Sequence, residues 1–138
     1  MIALTEMLPA LDALPLECDG LTRAISTLMQ RDAVAHSVHV GRVQIESVGI
    51  IPYHWWIALP DGRLCDLRAR MWLGHDERVP HGLFEPQTHQ QYQTQGEVQP
   101  ASVRLAPALF YVLTNKPLDA FDTLDGTLPP ISKPATVR

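Results

Sequence analysis

The segment that most restricts the fold is residues 51–68, IPYHWWIALPDGRLCDLR, in which a proline-led turn separates two apolar runs. Pro60 suits the first position of a type I turn because its φ is fixed near the required value. Gly62 suits the left-handed position that closes a three-residue hairpin loop. A loop of this length predicts two antiparallel strands in which Trp56 lies opposite Asp66.

This register decides which side chains share a face of the hairpin. Side chains two apart on a strand point the same way, so His54 shares the face of Trp56 and becomes a diagonal neighbour of Asp66, about 7 Å away at the backbone. A two-residue loop would turn Asp66 to the other face. The face opposite His54 carries apolar side chains that we expect in a core: Trp55, Ile57 and Leu59.

Residues 18–31, CDGLTRAISTLMQR, predict an amphipathic helix because apolar side chains recur at spacings of three and four. Asp19 is a candidate N-cap, so the helix begins close to Cys18. Residues 1–16 show a weaker helical pattern that Pro9 and Pro15 interrupt.

The remainder of the chain predicts mainly strands and loops. Residues 34–48 alternate as a strand, with a candidate bulge at Gly41. The polar segment 74–97 reads as a long loop with a short helix near Gln87–Gln93, and loops of that length are often functional lids. A further strand and a short buried helix are predicted over 98–105 and 106–114. The fold class is therefore α+β, with N-terminal helices packed on an antiparallel sheet.

The chain has 138 residues and a net charge of -4, which fits one domain and argues against a nucleic-acid partner. We assign residues 1–125 to that domain and the proline-rich residues 126–138 to a loose tail. No run of about 18 apolar residues predicts a membrane span, and an acidic N-terminus argues against a secretory signal. The expected location is cytoplasmic, where Cys18 and Cys65 are free thiols, with a disulfide between them as the alternative.

Three side chains in these elements form a chemical set. A thiol attacks as its thiolate, and a helix N-terminus favours the negative charge at Cys18. His54 is a candidate base for that thiol. Asp66 is placed to accept a hydrogen bond from the other ring nitrogen, which fixes the tautomer and orientation of the imidazole.

The order of these residues resembles that of the transglutaminase-like branch of the papain-like superfamily. The matching segments are Cys18-Asp19-Gly20-Leu21, His54-Trp55-Trp56-Ile57 and Asp61-Gly62-Arg63-Leu64-Cys65-Asp66. The resemblance covers residues 14–73 and implies a papain-like core with Cys18, His54 and Asp66 as catalytic triad. It implies acyl transfer through a thioester, by a peptidase, an amidase or an acyltransferase, on a peptide or protein substrate and without a cofactor.

Other residues near the triad are candidates for substrate binding. Trp56 lies beside the pair in the predicted register, Tyr53 is the preceding polar aromatic, and Arg68 follows Asp66. Arg68 is alternatively a solvated surface residue. The backbone N–H of Cys18 is a candidate oxyanion donor, with the side chains of Tyr53 and Gln44 as further candidates.

Alternative functions stay open from the sequence. Acidic Glu17 and Asp19 flank Cys18 and oppose a thiolate, which favours a catalytically inactive protein-binding module on the same fold. A zinc-dependent hydrolase would use loop residues, although their spacing matches no common zinc signature: His75, Asp76, His81 and His89. Cys65 falls on the face opposite Asp66 and is expected in the core.

Overall fold

The computed structural model describes residues 1–131 and has an α+β architecture built on a five-stranded antiparallel sheet. The strands lie in the order β4-β3-β2-β1-β5. None of the helices in the described part of the chain is long and apolar enough to cross a membrane. In chain order the elements are α1 Leu4–Asp12, α2 Cys18–Arg31, β1 Ser37–Ile45, β2 Gly49–Ala58, β3 Leu64–Asp66, α3 Ala69–Leu73, β4 Gly82–Phe84, β5 Gln90–Val98, α4 Pro100–Val103, α5 Pro107–Thr114 and a 3₁₀ turn Leu118–Ala120.

Helix α2 confirms the predicted bounds and its apolar face. Glu17 is extended and occupies the N-cap position, so the prediction that Asp19 caps the helix is wrong. The Asp19 carboxylate instead accepts a hydrogen bond from the Gly20 N–H at 2.8 Å. The side chains buried from α2 include those predicted from the helical spacing: Leu21, Ala24, Ile25 and Leu28.

The hairpin between β2 and β3 has the three-residue loop that the turn residues predict. The Leu59 N–H donates to the Arg63 carbonyl at 2.8 Å, and Gly62 has a φ of 93°. Ile57 pairs with Cys65 in the same register. His54 and Asp66 therefore share one face of the sheet, as the sequence predicts.

Adjacent residues of β2 contribute to two separate apolar clusters because they point to opposite faces of the sheet. Ile57 and Leu59 join Cys65 and the helices in the first cluster. Trp56 belongs to the second cluster, together with Leu64 on β3. The second cluster also contains side chains from β1, the start of β2, α3 and the segment before β4: Val43, Ile45, Ile51, Ala69 and Val79.

The largest difference between the sequence prediction and the structure is in segment 74–97. It contains strands β4 and β5, and the residues predicted as a short helix, Gln87–Gln93, largely belong to β5. The side chains of β5 are mostly exposed and polar, so the segment lacks the apolar alternation that indicates a strand. Its strand conformation comes from antiparallel pairing with β1, which is distant in sequence.

Three smaller predictions also differ from the structure. Helix α1 continues through Pro9, so that proline does not break it. The strand predicted over 98–105 is replaced by α4, whose first residue is Pro100, since proline is well tolerated in the first turn of a helix. The helix predicted over 106–114 forms as α5, but most of its side chains are exposed.

The two ends of the described chain meet. Ile2 forms a parallel bridge with Leu124, and the Leu124 N–H donates to the Asp32 carboxylate at 2.8 Å. The predicted loose tail, residues 126–138, begins without helix or strand, but Leu128 packs against the first cluster. The part of that tail from residue 132 onward lies outside the described residues.

Candidate active site

Cys18 is the first residue of α2, and its side chain is half-buried. The N–H groups of the first helical turn lack carbonyl partners within the helix, so this end carries partial positive charge that favours a thiolate. Exposed carboxylates on both sides, Glu17 and Asp19, oppose that effect. Position and exposure leave Cys18 accessible to a reagent or substrate.

His54 is fully buried on β2 and contacts Asp66, which is itself 3% exposed. The His54 Nε2 lies 3.0 Å from Asp66 Oδ1 and 2.9 Å from Oδ2. The contact predicted from the hairpin register is therefore present. Because an ionised carboxylate only accepts hydrogen bonds, this contact keeps the proton on Nε2 and leaves Nδ1 as the acceptor in neutral His54.

The Asp66 carboxylate is held by donors beyond His54. Its Oδ1 accepts the backbone N–H groups of Arg68 at 2.9 Å and Ala69 at 3.1 Å, where α3 begins. Its Oδ2 accepts the hydroxyl of Tyr92 at 2.7 Å, across from β5. These contacts orient the carboxylate and stabilise its charge in a buried position.

The second ring nitrogen of His54, Nδ1, differs from Nε2 in its hydrogen bonding. Within residues 1–131, Nδ1 is buried and has no partner that meets hydrogen-bond geometry. Burial lowers the pKa of His54, but the hydrogen bond to Asp66, an interaction with the Cys18 thiol and the charges of both groups together raise it to about 9. No hydrogen bond joins His54 Nδ1 to the Cys18 thiol, although the thiol contributes to the raised pKa of the imidazole.

Arg68 has a different role from those predicted. It is 7% exposed, so the solvated-surface interpretation is wrong. Its five N–H donors are all used, by carbonyl oxygens of Asp12, Leu14, Leu16 and Leu67 and by the Asp12 carboxylate. No guanidinium donor is left for a substrate. Arg68 instead fixes the segment that leads into Cys18, while its own N–H binds Asp66.

The two aromatic candidates for substrate binding occupy contrasting places. Trp56 is 1% exposed within the second cluster, so it is sealed away from substrate. Tyr53 is exposed, and because it precedes His54 on β2 it points to the face opposite the imidazole, the face that Trp55 shares. Trp55 lines a narrow crevice beside Cys18, and the Arg23 guanidinium lies 5.2 Å from the centre of its ring.

The remaining cysteine and histidines do not form a second site. Cys65 is buried in the first cluster as predicted, and burial raises the pKa of its thiol to about 12. Both cysteines are free thiols, so the alternative disulfide is absent. In residues 1–131 no three His, Cys, Asp or Glu side chains are placed to hold a metal ion. Among the loop histidines, His81 contacts the Asp12 carboxylate at 3.0 Å.

The sequence did not indicate that Tyr92 binds Asp66, or that Arg68 binds the carbonyl groups of the segment before Cys18. Tyr92 is an aromatic residue in a glutamine-rich segment. Its large apolar ring, isolated among polar residues, is the feature that could have indicated a strand there. Comparison with known protein families, curated proteins and solved structures found no match to this chain. The features of this chain that bear on function are therefore the geometry of Cys18, His54, Asp66 and their neighbours.

Proposed function

We propose that the chain is a cysteine-dependent acyl-transfer enzyme with a papain-like, transglutaminase-like core. The observation that carries this proposal is the asymmetric environment of His54. Its Nε2 is bound to Asp66, while its buried Nδ1 has no hydrogen-bond partner in the described structure and the Cys18 thiol contributes to the raised pKa of the ring. This is the arrangement that a base needs in order to accept a proton from a nucleophilic thiol.

The reaction proceeds in two steps. His54 Nδ1 takes the thiol proton, and the Cys18 sulfur attacks the carbonyl carbon of an amide or ester. The bond from carbon to the leaving group breaks, the imidazolium protonates the leaving amine or alcohol, and a thioester remains on Cys18. Water or an amine then attacks the thioester, its proton returns through His54, and the thiol is released.

Two features support the papain-like assignment of the core. A helix that begins with the nucleophile packs against the strand that carries the base, and the orienting acid lies on the neighbouring antiparallel strand. The backbone N–H of Cys18, at the first helical position, is a candidate oxyanion donor. The proposed substrate class is a peptide or protein, and the proposed location is the cytoplasm.

Acetylation by p-nitrophenyl acetate tests the proposal without knowledge of the natural substrate. The expected result is a burst of one p-nitrophenolate per chain and a single acetyl group, which peptide mass spectrometry places on Cys18. Cys18→Ala should abolish the burst, and Cys65→Ala, the matched thiol control, should retain it. His54→Ala should slow acetylation by about 10²–10⁴-fold, the usual contribution of a general base. Equal acetylation of both cysteines, or none, contradicts the proposal.

A second candidate function is a catalytically inactive module that binds a protein. The observation that favours it is the narrowness of the site, because the crevice between α2 and the hairpin encloses only about 10 Å³. That volume is near the minimum for one water molecule. The same acetylation experiment separates the two functions, since an inactive module acetylates Cys18 no faster than the His54→Ala variant does.

A further inference from the structure

The hydroxyl of Tyr92 shares an acceptor with the imidazole of His54. It donates to Asp66 Oδ2 at 2.7 Å, and His54 Nε2 lies 2.9 Å from the same oxygen. Asp66 Oδ1 is already occupied by two backbone N–H groups. The phenol and the imidazole therefore share Oδ2 and compete for the charge of one carboxylate, although the imidazole also lies 3.0 Å from Oδ1.

The ring of Tyr92 is held in place by its neighbours. Its centroid lies 5.0 Å from that of Trp56 at an interplanar angle of 85°, and 5.5 Å from that of Phe84. Its backbone pairs with Val43 on β1. Since edge-to-face contacts and strand pairing both restrict the ring, the hydroxyl remains directed at Asp66.

The hydroxyl also remains a donor throughout the titration of His54. Burial, together with the charge of Asp66 and the hydrogen bond to it, raises the pKa of Tyr92 well above its usual value. A neutral phenol beside a buried carboxylate donates its proton to the hydrogen bond and stabilises the carboxylate charge. Tyr92 thus weakens the pull of Asp66 on the imidazolium.

We infer that Tyr92 is a positioning residue that moderates how strongly Asp66 holds the proton of His54, an inference that rests on the proposed function. An imidazolium held too strongly protonates the leaving group poorly, because a general acid works best when its pKa lies near the working pH. Tyr92 acts through Asp66 and does not touch the reacting atoms. Its effect is therefore on the acid–base balance of the triad.

Other titratable groups face the triad from the surrounding elements, and each stays in place in the test. Cys18 faces His54 from α2, and Cys65 adjoins Asp66 on β3. His39 on β1 stacks on Trp56 with ring centroids 6.1 Å apart. The charge of Arg68 is turned toward Asp12, so its backbone contact is the one that Asp66 receives.

The variant Tyr92→Phe tests the inference in the full chain, with the exposed Tyr111→Phe as matched control. The readout is the pKa of His54, measured by NMR of imidazole-labelled protein. Loss of one hydrogen bond to the carboxylate should raise this pKa by roughly half to one pH unit. The control should leave it unchanged. An unchanged pKa in a folded Tyr92→Phe chain overturns the inference.

A second experiment makes the hydroxyl at position 92 a stronger hydrogen-bond donor without removing it. In a chain with Tyr53→Phe and Tyr111→Phe, 3-fluorotyrosine is incorporated at position 92 alone. The more acidic phenol should lower the pKa of His54, opposite to the effect of Tyr92→Phe, and a shift in the same direction as that variant contradicts the inference. The titration does not require turnover, so a wild-type chain that fails to acetylate Cys18 overturns the proposed function, whichever way the pKa of His54 moves.

Discussion

The two faces of the sheet around β2 and β3 differ in the kinds of side chain that they bury. The core under the helix-covered face is apolar, and the thiol buried in it, Cys65, is enclosed among leucines and isoleucines and has a raised pKa. The other face also has an apolar cluster, but it buries the polar pair His54 and Asp66, which the half-buried Tyr92 contacts. The core of the helix-covered face therefore stabilises the fold by apolar packing, whereas stability on the other face depends on protonation and on hydrogen-bond partners.

The largest expected difference between the two faces is in the free energy of unfolding that is lost when one buried side chain is truncated. His54→Ala should lower the free energy of unfolding by about 3–5 kcal/mol, because it leaves the Asp66 carboxylate buried without its ion-pair partner. Ile25→Val, a small deletion on the helix-covered face, should lower it by about 0.5–1.5 kcal/mol. Urea denaturation of both variants measures these values. Equal losses would mean that the polar pair is not a distinct source of stability.

A smaller effect should appear in the pH dependence of stability. A histidine whose pKa is raised by folding contributes stability that is complete below its unfolded pKa of about 6.5 and is lost as pH rises through its folded pKa. For His54 the folded value is about 9. The free energy of unfolding should therefore fall by about 3 kcal/mol between pH 6.5 and pH 9.

Asp66→Asn is the variant that isolates this effect, because it removes the charge that raises the pKa of His54. The decline between pH 6.5 and pH 9 should then be much smaller. Burial lowers the pKa of His36, so its influence on stability falls below pH 6.5 and outside this window. A decline of the same size in the Asn variant would assign the effect to another group.

The sequence predicted those parts of the site that depend on local chemistry. The bounds of α2 follow from helical spacing, and the contact of His54 with Asp66 follows from the turn at Pro60 and Gly62. Both depend on residues close together in the chain.

The parts that sequence reasoning missed depend on distant partners. Tyr92 reaches Asp66 only because β5 pairs with β1, and the glutamine side chains of β5 carry little strand signal. From the sequence alone Arg68 is predicted to lie at the surface, because the carbonyl groups that bind it, those of Asp12, Leu14 and Leu16, are distant in the chain. Neither partner set is visible in local composition.

The most direct test of the central claim, that His54 activates Cys18, is the rate at which iodoacetamide labels each cysteine at pH 7. An ordinary thiol is only a few per cent thiolate at this pH, so activation should make wild-type Cys18 react about tenfold faster, or more, than Cys18 in the His54→Ala variant. Cys65 should label slowly in both. Identical Cys18 rates in the two folded chains would contradict the account.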